Sequence, residues 1–166
     1  FKMETAEFYK EEIRCGWRVD EKTKRIWAVQ LEMLDEVERI CKKYGLKYFA
    51  DSGTLIGAVR HQGYIPWDDD IDLAMLREDY ETFLKVAPGE LKEHLVLQTP
   101  YREKNYLRAH AQLRNSRTTG CSREDRKAGY NCGIFIDIFP LDAMPEVRVL
   151  SRIWAFSIQT LFHHPM

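Results

Sequence analysis

Asp68, Asp69, Asp70 and Asp72 put four acids into five positions, and the chain runs straight on through an apolar segment to Met75. A run of acids is ordinarily a solvated loop. One that enters a strand is constrained by the pleat. If the strand begins near Asp70, side chains two apart share a face. Asp70 and Asp72 then stand side by side while Ile71 and Leu73 point the other way. Neighbouring carboxylates repel unless a proton or a cation lies between them, and oxygen ligands so arranged suit a hard divalent ion. Alone, the stretch fits either a metal site or a wet turn.

The 166 residues are enough for one domain with a real core. A net charge of −1 gives no global basic field for nucleic acid. Cys15, Cys41, Cys121 and Cys132 form no C-x-x-C pair, so reduced cysteines of a cytosolic protein are expected. A clip of Cys121 and Cys132 with a histidine is a lesser alternative. There is no run of 18 apolar residues, and the opening residues lead to no expectation of a signal peptide. The chain opens on Phe1 and closes just after an apolar helical pattern, so it reads as a single domain over 1–166, cut from a longer protein.

In chain order, Glu7 to Ile13 suggests a short helix ended by Cys15-Gly16. Ile26, Val29, Met33, Val37, Ile40 and Tyr44 recur at spacings of three and four, which predicts an amphipathic helix with Gly45 as its C-cap. Leu46 to Ala50 reads as a strand, and Leu55 to Arg60 as a short helix opened by Ser52-Gly53-Thr54. Small residues at a helix start either cap it or let backbone N–H groups approach an anion. A strand follows from Asp70 to Met75, then a helix from Arg77 to Ala87 stopped by Pro88-Gly89, and a strand from Leu95 to Gln98. Leu107 to Arg114 alternates as a half-buried strand. Its polar face, Arg108, His110, Gln112 and Arg114, either contacts phosphate or meets solvent. Residues 116–129 read as a polar loop, and 147–162 as a packing helix.

Gly133 to Pro140 is strongly apolar with one acid, Asp137, at its centre, between Phe135 and Phe139 on the same face. Burying such an acid is costly unless it is paired, hydrogen-bonded or metal-bound. Three carboxylates on neighbouring strands can hold divalent ions that neutralise a phosphate and polarise an attacking hydroxyl. With a phosphate-binding turn at Ser52-Gly53-Thr54, this is the logic of phosphoryl or nucleotidyl transfer.

The segments Tyr48 to His61, Gly63 to Asp72 and Gly133 to Asp142 closely resemble the LicD family, which includes bacterial phosphocholine transferases and the fukutin-related ribitol-phosphate transferases. The resemblance runs from about Ile26 to Met144. It implies an α+β fold of the DNA polymerase beta-like nucleotidyltransferase type, a small mixed β-sheet flanked by helices. It also implies catalytic and metal-ligating roles for Asp70, Asp72 and Asp137, and Mg2+ or Mn2+ as cofactor. Ser52, Gly53 and Thr54 would bind the donor, with Arg60, His61 and Arg114 as further phosphate contacts. Gly53-Thr54 departs from the superfamily's Gly-Ser or Gly-Gly, and Arg114-Asn115 stands where members often read Arg-Asp.

The implied donor is CDP-choline or another CDP-alcohol. The implied acceptor is a sugar hydroxyl of a cell-surface glycan precursor, such as that of teichoic acid or lipopolysaccharide. The implied location is cytoplasmic, at the inner face of the membrane where the acceptor or the C-terminal helix would associate with it. A quaternary ammonium would need an aromatic box, for which Trp17, Tyr64, Trp67 and Tyr130 are available. Two rival readings are a metal-dependent glycosyltransferase using a nucleotide sugar, and a non-catalytic module binding metal or a partner. The first normally places a βαβ region ahead of its D-x-D, and EF-hand spacing for the second is absent.

Overall fold

The computed structural model describes residues 6–106, 108–121, 123–144 and 146. The helix expected over 147–162 lies outside them. The architecture is mixed α+β. A five-stranded mixed sheet runs in the order β3 (Phe49–Ala50), β4 (Asp72–Leu76), β7 (Ile134–Leu141), β6 (Ala111–Asn115), β5 (Leu95–Gln98). Only the β4–β7 pair is parallel. A separate hairpin, β1 (Glu12–Arg14) and β2 (Trp17–Val19), precedes it.

That hairpin replaces the helix expected over Glu7 to Ile13. Cys15 and Gly16 both have positive φ, 51° and 77°, as a two-residue type I′ turn requires. A residue-plus-glycine pair marks a helix end and a hairpin turn alike, and here the strands on either side pair.

Helix α1 (Glu21–Tyr44) starts where the Asp20 carboxylate accepts the Thr23 N–H at 2.8 Å, and ends at Gly45 with φ 69°. Its C-terminal half buries Met33, Val37, Ile40 and Cys41. Its N-terminal half turns differently from the expected stripe. Trp27 and Gln30 are buried, while Ile26 and Val29 are only half-buried. Helix α3 (Arg77–Glu90) packs Tyr80, Phe83, Leu84 and Ala87 into the same core. It runs through Pro88 rather than stopping there. The carbonyl that Pro88 cannot bond, that of Leu84, is approached by an Arg102 guanidinium N–H at 3.4 Å.

Leu73 and Met75 of β4, Ile136 and Ile138 of β7, Ala111 and Leu113 of β6, and Leu95 and Leu97 of β5 meet α1 and α3 on one face of the sheet. Asp72, Asp137, Gln112 and Gln98 therefore fall on the other, in one row across four strands by register. The strand expected from Leu46 is confined to Phe49–Ala50, and the loop expected over 116–129 contains a short helix, α4 (Arg123–Ala128). Among the described residues no helix is long and apolar enough to cross a membrane.

Candidate active site

The acid-rich segment reaches the sheet later than its pattern implies. β4 begins at Asp72, not Asp70. Asp70 nevertheless comes close: one carboxylate oxygen from each of Asp70, Asp72 and Asp137 lies within 4.8 Å of the others. Asp72 and Asp137 are direct register partners on the two parallel strands, and the Asp137 N–H donates to the Ile71 carbonyl at 2.9 Å. Asp68, Asp69 and Asp70 form a second such group that shares Asp70.

Burial raises the Asp70 carboxyl to about 7, and the Asp72 carboxylate is the largest of the charges that add to the rise. Asp72 is pushed up to about 6, again by burial first and then by Asp137. Among the described residues no lysine or arginine is bonded to these three carboxylates. Crowded, desolvated, all-oxygen donors of net negative charge fit a hard divalent cation.

The Asp137 Oδ1 accepts from Gln112 Nε2 at 2.8 Å and meets His110 Nε2 at 3.0 Å. Among the described residues its second oxygen carries no such bond. Behind it, Gln112 Oε1 accepts from Arg114 at 2.7 Å, and Arg114 also donates to the Gly133 carbonyl at 2.9 Å. Arg114 is 0 % exposed, so it does not stand on an open face where a phosphate would meet it. The polar side of β6 is interior because the segments around Tyr106 and Tyr130 close over it. Tyr106 donates to the His110 carbonyl, Arg108 bonds the Tyr130 hydroxyl, and Gln98 donates to the Asn131 carbonyl.

Helix α2 (Ser52–Arg60) opens at the expected turn, with Ser52 at φ 45°. Thr54 Oγ1 accepts the Asp72 N–H at 2.9 Å, and the Asp51 N–H donates to the Asp72 carbonyl at 3.0 Å. The turn is thereby tied to the backbone of a site carboxylate. A Cβ on Gly53 would lie 2.5 Å from Asp68 Oδ2, so only glycine lets that carboxylate lie over the turn. Arg60 and His61 stand at the opposite end of α2, about 12 Å along its axis. There Arg60 Nε meets His61 Nδ1, and the His61 ring is edge-on to Trp67.

The aromatics do not gather into one box. Tyr64 is stacked on Trp27 at 4.5 Å, and Tyr130 packs beside Tyr106. Trp17 and Trp67 meet edge-on at 6.1 Å and are half exposed. None of the four cysteines is in a disulfide, and neither Cys121 nor Cys132 joins a group of ligand atoms close enough for an ion among the described residues.

Two residues of α1 that sequence reading passed over shape the site. Trp27 Nε1 donates to the Asp68 carbonyl at 2.9 Å. Gln30 Nε2 donates to the Asp69 carbonyl at 2.7 Å and the Phe135 carbonyl at 3.2 Å. The displaced Ile26 and Val29 instead line a cleft of about 680 Å3, walled opposite by Thr118 to Cys121 and opening onto Asp69 and Asp70. It is large enough for a sugar or nucleoside beside the carboxylates.

The family model described as LicD/FKTN/FKRP, nucleotidyltransferase domain, matches residues 45–159. The chain is 38% identical over 119 residues to the lipopolysaccharide cholinephosphotransferase LicD of Haemophilus influenzae, covering 71% of this chain and 43% of that protein. It is 42% identical over 57 residues to an uncharacterized protein of Rickettsia typhi, covering 34% of this chain and 18% of that one. With the human ribitol 5-phosphate transferase FKRP it shares 49% identity over 35 residues, 21% of this chain and 7% of that one. The chain thus spans less than half the length of these curated relatives.

Proposed function

The chain belongs to the LicD family, and on that premise we propose that it carries the catalytic core of a divalent-metal-dependent transferase. The enzyme moves phosphocholine, or a similar alcohol phosphate, from a CDP-linked donor to a sugar hydroxyl of a cell-surface glycan precursor. The fold is read as the nucleotidyltransferase type. Asp72 and Asp137 paired across parallel strands, with Asp70 beside them, are the observation that carries this reading.

Asp70, Asp72 and Asp137 would hold Mg2+ or Mn2+, which when bound neutralises the donor diphosphate and the charge that spreads in the transition state. The N–H groups of the first turn of α2 would receive the donor phosphates once the Asp68 carboxylate, which lies over Gly53, turns aside. The acceptor hydroxyl oxygen bonds to the phosphorus bearing the alcohol, the bond from that phosphorus to the CMP oxygen breaks, and CMP leaves with the electron pair. The hydroxyl proton passes to Asp137, whose Oδ1 is fixed by His110 and Gln112. The glycosyltransferase alternative has less support, since β3 and β4 are antiparallel and supply no parallel βαβ unit ahead of Asp72.

The full-length protein incubated with Mg2+ and CDP-choline is expected to release CMP, and Asp72→Asn to stop it. CMP release undiminished in Asp72→Asn, or turnover of a nucleotide sugar but of no CDP-alcohol, defeats the reading.

A further inference from the structure

Gln30 lies on the core-facing side of α1, is 2 % exposed, and has every polar group engaged. Its amide nitrogen donates to the carbonyls of Asp69 and Phe135, and its oxygen accepts from the Tyr64 hydroxyl at 3.0 Å. Asp69 adjoins Asp70, and Phe135 sits two residues before Asp137. One side chain therefore ties together the two segments that deliver the three clustered carboxylates. Trp27, three residues earlier on the same helix face, holds the neighbouring Asp68 carbonyl and stacks flat on Tyr64. Only a side chain with two donors and an acceptor satisfies all three of Gln30's partners at once. An apolar residue of the same size would keep the packing and lose the tie.

From this geometry, and resting on the metal-dependent reading above, we infer that Gln30 is a positioning residue for the divalent-cation site. It fixes the spacing between the Asp68–Asp72 segment and β7, with Trp27 as its auxiliary. Its effect is exerted through the backbone of the acid-bearing segments and touches neither substrate nor metal. Residues that orient metal ligands typically cost 10- to 100-fold in affinity or activity when removed, on the order of what is expected here.

The test uses the full-length protein stripped with EDTA and titrated with Mn2+ by calorimetry, alongside CMP release. Gln30→Met is expected to raise the Mn2+ dissociation constant by about 10- to 100-fold. Its kcat should return toward wild type at saturating Mn2+. Trp27→Phe keeps the stack on Tyr64 and removes one donor, and should produce a smaller shift in the same direction. Val37→Ala, a buried position of the same helix away from the acids, controls for lost stability and should leave Mn2+ affinity unchanged. Wild-type Mn2+ affinity in Gln30→Met, or a loss no greater than that in a Val37→Ala protein of matched melting temperature, overturns the inference alone. A wild-type protein that neither binds Mn2+ nor releases CMP overturns the transferase reading and this inference with it.

Discussion

Asp72 and Asp137 are register partners on the parallel strands β4 and β7, and both point away from the α1–α3 core. Two carboxylates held side by side as register partners on paired strands repel each other, and the pairing of the strands keeps their backbones together. Replacing either by Asn is expected to reduce CMP release by at least about 1,000-fold, equivalent to roughly 4 kcal/mol of charge stabilisation. The same changes should hold or raise the melting temperature of the EDTA-treated protein, because one repelling charge is gone. Parallel thermal melts and assays check both halves. A melting temperature that collapses together with activity would make these acids structural.

The pH dependence of metal-free stability follows from Asp70 at about 7 and Asp72 at about 6. Both lie above the ordinary carboxylate value near 4, so between about pH 4 and 7 the folded chain holds protons that the unfolded chain has released. The stabilisation from these groups is complete below about pH 4, is lost as pH rises through the folded values, and stays lost above them. Glu36 and Asp142 are shifted downward, so their contribution changes only at lower pH. In EDTA the melting temperature should therefore fall between pH 5 and 8. Millimolar Mg2+ should restore it at pH 8 and do little at pH 5, where protons compete for the same oxygens. Asp70→Asn should flatten the slope. A metal-free melting temperature that climbs over this range, with no response to Mg2+, contradicts the coupling.

Asp137 was legible because an acid inside an apolar strand is a local signal, whereas Asp70 reaches the cluster from before β4, so the period of two that paired it with Asp72 is not what places it. Asp137 stands out between Phe135 and Phe139 without any knowledge of its neighbours. Gln30 and Trp27 were not legible. Their partners are backbone carbonyls 39 to 105 residues away, and a carbonyl has no signature in sequence. The α1 stripe was misplaced for the same reason: near its N-terminus the helix packs against polar backbone, so donors face inward where aliphatic residues were expected. Arg114 carried an ambiguous signal, since an alternating strand does not say whether its polar side meets solvent or a second layer.

Burial of Arg114 separates two outcomes. Arg114→Met leaves the Gly133 carbonyl and Gln112 Oε1 without their donor, at a cost of about 2–4 kcal/mol from two lost charged hydrogen bonds. Arg114→Lys should recover little, because one ammonium cannot span both acceptors as the guanidinium fork does. The urea midpoint should fall in both variants, while the KM for the donor, measured well below the melting temperature, changes by no more than about twofold. An unchanged midpoint with a large rise in donor KM would return Arg114 to direct phosphate contact.

Gly57 tests how tightly α2 is pressed against the segment leading to the acids. A Cβ there would lie 2.5 Å from the Gly63 carbonyl oxygen and 3.2 Å from the Ile65 nitrogen. Both are backbone atoms and cannot rotate aside. In an exposed helix, Gly→Ala gains about 1 kcal/mol from reduced unfolded-state entropy. At Gly57 overpacking should reverse that sign, for a net loss of about 1–3 kcal/mol. Gly89, in α3, has nothing within 4 Å of its Cβ position, so Gly89→Ala should stabilise by about 0.4–1 kcal/mol. Because residues 63–65 run directly into Asp68, a shift forced at Gly57 should also weaken Mn2+ binding, whereas Gly89→Ala should not. Urea melts and Mn2+ titrations of the two variants side by side decide the matter. Equal stabilisation by both substitutions would show that the chain from Gly63 to Ile65 yields freely and does not hold the acids in place.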